Sequence, residues 1–159
     1  MDTVELRELT DEDRRTIQGW PAYPPDCMDF DYVPREGGWI DWHANHERDK
    51  LYAAVEGGEV VGFSILHRDG DDEAEFAIAI RGDLLGRGLG GRVTLATLDK
   101  GFGELRLARV TLVVRKSNLR AQRLYRRAGF TCTGDCVLTI RGKEAEFLKM
   151  EIARPAVQT

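Results

Sequence analysis

Three groups of residues in this chain have types and spacings that can do chemistry. The first is the run Gly86-Arg87-Gly88-Leu89-Gly90-Gly91. Glycines at this density let the backbone bend sharply and gather N–H groups at a helix N-terminus, a geometry that binds phosphate. The second is Glu73 and Glu75, two residues apart on or just before a strand and hence on one face, where a carboxylate can take or return a proton. The third is Asn118 and Tyr125, separated by two helical turns and so projecting from one side of a helix. A further set, His43, His46 and Asp41, has a helical spacing that would allow metal ligation, but no second ligand pair supports it. Cys132 and Cys136 lack the flanking ligands of a zinc site, so no metal is expected.

The glycine run has three readings on its own. It fits G-x-G-x-x-G, but three strands precede it, and the strand that follows ends in Arg115 and Lys116 rather than in an acid. A P-loop needs Lys and then Ser or Thr after the last glycine, and Arg92 and Val93 stand there. The remaining reading is a turn that simply lets a strand meet a helix.

The elements that must position these groups follow from periodicity. Residues 4–8 alternate apolar and charged, as a half-buried strand does. Thr10 before Asp11, Glu12 and Asp13 predicts a capped helix that ends by Gly19. Residues 20–38 carry four of the five prolines and read as an irregular loop, with a short helix over 39–49. Residues 51–55 and 60–67 form a hairpin around Glu56-Gly57-Gly58-Glu59, and 75–80 a third strand. A helix over 88–102 leads to an apolar strand at 110–114. Ser117 is placed to cap a helix ending at Ala128, with Gly129 as its left-handed stop. Strands at 131–140 and 144–152 close the chain around Arg141-Gly142-Lys143. Helices between strands in the second half imply parallel pairing there, and the hairpins imply antiparallel pairing elsewhere. The expectation is an α/β mixed fold: a mostly antiparallel sheet of six to seven strands with helices on both faces.

Composition narrows the partners. The 159 residues suit one domain, and 42% hydrophobic with 31% charged residues is the balance of a soluble globular protein. A net charge of -4 argues against a nucleic-acid partner, which needs a basic stripe. No apolar run approaches the ~20 residues that cross a bilayer, so no membrane association and a cytoplasmic location are expected. Three cysteines without a secretory signal fit reduced thiols.

Residues 85–90 resemble the coenzyme A pyrophosphate loop of the GNAT superfamily of acyltransferases, with Gly88 and Gly90 at its two small positions. Leu85 departs from the usual Gln or Arg. Downstream, Asn118, Ala121, Leu124, Tyr125, Ala128, Gly129 and Phe130 match the second signature of that family at the right distance. The resemblance covers roughly residues 51–152. The stretch EAEFAIAIRGDLLGRGLG also looks like the acetyltransferase domain of bacterial protein-lysine acetyltransferases.

The resemblance implies a single acetyltransferase domain over 1–159, with 20–46 on the substrate side and 75–130 holding acetyl-CoA. It assigns Ile78, Ala79 and Ile80 to the pantetheine slot and Gly86, Arg87, Gly88, Leu89, Gly90 and Gly91 to the pyrophosphate. Asn118 would hydrogen-bond the pantetheine arm or a water, and a backbone N–H near Ile80 would meet the oxyanion. Tyr125 is the expected acid toward the coenzyme sulfur. An ammonium near pKa 10.4 is not nucleophilic at neutral pH, so a base is required, and Glu75, beside the strand end where the thioester should sit, is the preferred one, directly or through a water. Arg87, Arg92, Arg123 and Arg126 are candidates for phosphate contact. The expected reaction is transfer of acetyl from acetyl-CoA to a primary amine of a protein or small molecule. The alternative is a CoA-binding or ligand-sensing module with weak turnover. Trp20, Tyr23, Asp26, Asp29, Asp31, Tyr32, Trp39 and Trp42 combine carboxylates with aromatic faces that attract cations, or form a satellite hydrophobic cluster. Similar enzymes also commonly pair into homodimers.

Overall fold

Strand periodicity and turn chemistry converge on a seven-stranded sheet in a computed structural model that describes residues 4–25, 34–68 and 70–155. Its strands are β1 (Glu5–Glu8), β2 (Lys50–Glu56), β3 (Glu59–Arg68), β4 (Glu73–Ile80), β5 (Arg109–Arg115), β6 (Thr131–Ile140) and β7 (Lys143–Ala153). The spatial order is β1-β2-β3-β4-β5-β7-β6. Only the β4–β5 contact is parallel; each other neighbouring pair is antiparallel. The helices are α1 (Asp11–Gln18), α2 (Trp39–Ala44), α3 (Leu89–Asp99) and α4 (Leu119–Ala128).

The start of α1 is fixed by a capping box. Thr10 Oγ1 accepts from the Asp13 N–H at 3.1 Å, and the Asp13 carboxylate accepts from the Thr10 N–H at 2.9 Å. Arg7 on β1 closes on the same carboxylate, with Nη2 at 2.9 Å from Oδ1, and ties the helix to the sheet edge. That guanidinium holds the Asp13 carboxyl below the usual carboxylate range.

Side-chain alternation along β3 and β4 divides the core. Phe63 and Ile65 face one side, where Ile17 of α1, Trp20 and Ile40 of α2 cover them and Ala77 and Ala79 of β4 join. Leu66, Ala74 and Phe76 face the other side, with Leu98 of α3, Leu112 of β5 and Phe130. Burying an aliphatic or aromatic side chain of this size contributes about 1.5–3 kcal/mol. The buried Ser64 and Thr97 hydroxyls, 2.7 Å apart, add a polar contact between β3 and α3.

Three expectations need correction. The short second helix stops at Ala44 rather than reaching residue 49, and Asn45 Nδ2 turns back onto the Asp41 carbonyl. The helix after the glycine run keeps α geometry only to Asp99; Lys100–Glu104 is a π turn in which Gly101 lies close against Leu107 and Leu66. The cap of α4 is Asn118, not Ser117, and its Oδ1 accepts from the Ala121 N–H at 3.1 Å. The other end of α4 is as expected, with Gly129 left-handed at φ 109°.

Candidate active site

The glycine run builds a helix start that is left open. Gly88, the N-cap of α3, is left-handed at φ 79° and offers no side chain to the first turn, which also contains no acid. The contrast with α1 is direct, since that helix satisfies its own first turn with Thr10 and the three acids Asp11, Glu12 and Asp13. In α3 the N–H groups of Leu89, Gly90 and Gly91 have no intrahelical acceptor by helix geometry. A Cβ on Gly86, Gly88 or Gly91 would meet nothing within 4 Å, so the turn borders open space at these three positions. Amides converging on open space, with the helix dipole behind them, are an anion site. The residues fit a diphosphate.

Gly90 serves a different purpose. A Cβ there would lie 2.7 Å from Leu124 Cδ1, so glycine allows α4 to pack closely on α3. Arg87 is exposed beside the turn, and Arg92 donates to the Arg87 carbonyl at 3.2 Å while lying 3.6 Å from Glu56. Arg123 and Arg126 lie exposed on α4. Leu85 packs into the apolar cluster of Ile80, Leu84 and Leu89, which gives that position a structural use.

Next to this turn the sheet parts. β4 and β5 pair only at Glu73–Arg109, Ala74–Val110 and Glu75–Thr111, although β4 runs on to Ile80 and β5 to Arg115. The Arg81 N–H donates to the Val61 carbonyl, which sets the phase of the β3–β4 ladder. Odd-numbered residues of β4 therefore turn their main-chain groups to β3, and even-numbered ones turn away from it. The Asp72 carbonyl, accepting from Ala108 and Arg109, obeys the same phase. The N–H groups of Ile78 and Ile80 thus face the splay. Those of Ala79 do not, because Ala79 pairs with Phe63. Of the three expected slot residues, the two isoleucines offer donors.

Tyr125 and Glu75 flank this parting from opposite faces. Tyr125 packs edge-on against Phe76 at 6.2 Å and Phe130 at 5.8 Å, on the α3–α4 side. Burial raises the pKa of its phenol, so the group stays protonated, and its hydroxyl has no protein hydrogen-bond partner among the described residues. Glu75 stands at the last paired position, exposed, on the α1–α2 side, with His67 as its cross-strand neighbour. Glu73 shares that face but lies 3.9 Å from Arg109. Asn118 uses its Oδ1 as the α4 cap, and its amide N–H groups have no partner among the described residues.

The acidic and aromatic set divides. Trp20 is core, 6.2 Å from Phe63, and Tyr23 is buried. Trp39 packs against the same core and Trp42 is exposed. Asp26, Asp29, Asp31 and Tyr32 lie outside the described residues. Tyr23 carries a role that the sequence did not suggest: its hydroxyl donates to the Ile80 carbonyl at 2.7 Å, holding the end of β4 across 57 positions of chain. Asp41 does not join the histidines. It accepts from Gln18 and from the Gly37 N–H, both at 2.7 Å.

Comparison with known proteins places this geometry. Residues 3–131 match the family model described as an acetyltransferase (GNAT) domain. Spermidine N(1)-acetyltransferase of Escherichia coli strain K12 is 36% identical over 77 residues, 48% of this chain and 39% of that relative. The chain thus matches well under half of the length of that curated relative. Among solved structures, the spermidine N-acetyltransferase of Vibrio cholerae in complex with CoA and spermine superposes with a TM-score of 0.79 at 24% identity, covering 96% of each chain. A chimera of the same Vibrio cholerae enzyme gives 0.78 at 22% identity, again over 96% of each chain. The family match spans most of the chain, and these structures share its fold over 96% of its length. The chain belongs to the GNAT acetyltransferase family.

Proposed function

We propose that this protein transfers the acetyl group of acetyl-CoA to a primary amine, and that its acceptor is a small polyamine. The open first turn of α3 beside the β4–β5 splay is the observation that carries this reading, because it offers a diphosphate cradle leading into a slot with inward N–H donors. The identity shared with a spermidine N(1)-acetyltransferase supports the acceptor class.

The residues divide the work as follows. The amides of Leu89, Gly90 and Gly91 bind the coenzyme diphosphate. The N–H groups of Ile78 and Ile80 are the donors on offer to the oxygen that gains charge as the amine nitrogen bonds to the acetyl carbon. Glu75, on the α1–α2 face, takes the ammonium proton, directly or through a water, and passes it to solvent, and the second nitrogen proton leaves to solvent as the amide forms. Tyr125, on the other face, gives its proton to the sulfur as the carbon–sulfur bond breaks, and regains one from solvent. The raised phenol pKa suits that role, since the donor form persists at neutral pH. Tyr23, by holding the Ile80 carbonyl, keeps the end of β4 in place.

Leu85, where the family places a polar residue, favours a second reading in which the fold binds the coenzyme without efficient turnover. Titration calorimetry with acetyl-CoA and thiol release against spermidine, spermine and a lysine peptide separate the two. Coenzyme-dependent thiol release with a polyamine supports the enzyme. Binding without release from any amine would leave only the binding module.

A further inference from the structure

We propose that His43, Asp49 and His67 form a binding site for one transition-metal dication of the zinc class. The three come from separate elements: the last turn of α2, the residue just before β2, and β3. They converge closely. His43 Nδ1 lies 2.6 Å from Asp49 Oδ2, His67 Nδ1 lies 2.7 Å from Asp49 Oδ1, and one ligand atom of each falls within 4.8 Å of the others.

A carboxylate has no proton to give, so both imidazoles direct Nδ1–H at it. Asp49 is buried, with its side chain 1% exposed, and no Lys or Arg pairs with it among the described residues. Among the described residues that carboxylate is served only by two imidazoles. A divalent ion at its centre would supply the missing positive charge. The donor set of two nitrogens and one carboxylate oxygen suits zinc, cobalt or nickel, whereas magnesium and calcium prefer oxygen throughout.

Binding requires small movements. Zinc bonds of about 2.05 Å in a tetrahedron put ligand atoms roughly 3.3 Å apart. Each carboxylate–imidazole contact must therefore open by about 0.6 Å. Each Nδ1 becomes a ligand and the ring proton moves to Nε2. The His67 side chain is 25% exposed and His43 13%, which leaves an approach for the ion and for a water in the fourth position. Trp42 walls the site, its ring centroid 4.6 Å from His43 and 5.5 Å from His67. His46 lies close by but stands apart from the set: its Nδ1 bonds the Trp42 carbonyl at 2.8 Å and its ring stacks on Trp42. The occupied site would pin α2 to β3, one strand from Glu75. It stands independently of the proposed acetyl transfer.

The test uses untagged full-length protein stripped with a chelator, titrated with Zn²⁺ alone by calorimetry and with Co²⁺ alone by visible absorption. One equivalent is expected, with d–d bands from four-coordinate cobalt and a higher melting temperature. His67→Ala and His43→Ala should each weaken binding by at least about tenfold, the lower end of what losing even an outer-sphere partner costs. His46→Ala should bind as the parent does. Asp49→Asn risks the fold, so the partly exposed His67→Ala carries the test, with circular dichroism confirming that it is folded. Absence of saturable binding by the folded parent protein would overturn the proposal. So would binding that survives both His67→Ala and His43→Ala, or binding abolished by His46→Ala.

Discussion

Replacing Gly88 by Asp and, separately, by Asn isolates the charge that the start of α3 can accept. The backbone there is left-handed at φ 79°, a conformation that Asn and Asp adopt more readily than other side chains. A Cβ at this position meets nothing within 4 Å. Both variants therefore carry a similar backbone cost, about 1–2 kcal/mol, and differ by a single negative charge. Repulsion from each phosphate charge at about 5 Å is about 3 kcal/mol at an effective dielectric of 20 and below about 1 kcal/mol in bulk water. The turn is exposed, between those limits, and a loss of about 2 kcal/mol corresponds to roughly thirtyfold in affinity. The assay is calorimetric titration with CoA, which binds without turnover, at low and high ionic strength. Gly88→Asp should bind about thirtyfold more weakly than Gly88→Asn at low salt, and added salt should narrow the gap. Equal affinities at low salt, with both proteins folded, would show that no phosphate sits at this helix end.

Tyr125→Phe should lower turnover by about 10²-fold, within the range of a positioned acid, and leave CoA affinity nearly unchanged; steady-state kinetics with calorimetry checks both. Glu75→Gln should lower kcat/KM by about 10²-fold near neutrality and recover as pH approaches the pKa of the amine, where the acceptor sheds its own proton; a pH–rate profile reads this. Tyr23→Phe leaves the Ile80 carbonyl without its donor and should cost about 1–3 kcal/mol in denaturant unfolding. Asp13→Asn should destabilise by about 1–3 kcal/mol, discounted toward the lower end because Arg7 is partly exposed. The Asp13 carboxyl is depressed in the folded state, so its stabilisation is complete above the unfolded carboxylate range and is lost as pH falls through the folded value. Parent and variant should therefore converge in stability toward acid pH.

Local chemistry made much of the fold legible. Thr10 with Asp13, the Gly57-Gly58 turn and Gly129 each declare an element boundary through contacts within a few residues, and each stands where the sequence puts it. The glycine run is legible for the same reason, since left-handed φ and open amides need only the residues themselves. What was not legible depends on distant pairing. Tyr23 meets Ile80 across the sheet end, and His67 meets Asp49 from another strand, and neither leaves a periodic trace. Asp41 and His43 are neighbours in sequence, yet Asp41 turns to Gln18 of α1 while His43 turns to Asp49. Ser117 and Asn118 are both good caps, and only the turn after β5 selects Asn118.

Crystals grown with CoA locate the coenzyme on the protein. Diphosphate oxygens are expected within about 3.2 Å of the Leu89, Gly90 and Gly91 nitrogens. The pantetheine arm should lie between β4 and β5 beyond Glu75 and Thr111, with the sulfur within hydrogen-bond reach of the Tyr125 hydroxyl. A diphosphate bound elsewhere, or an arm that leaves the two strands without passing between them, would contradict the proposed coenzyme site.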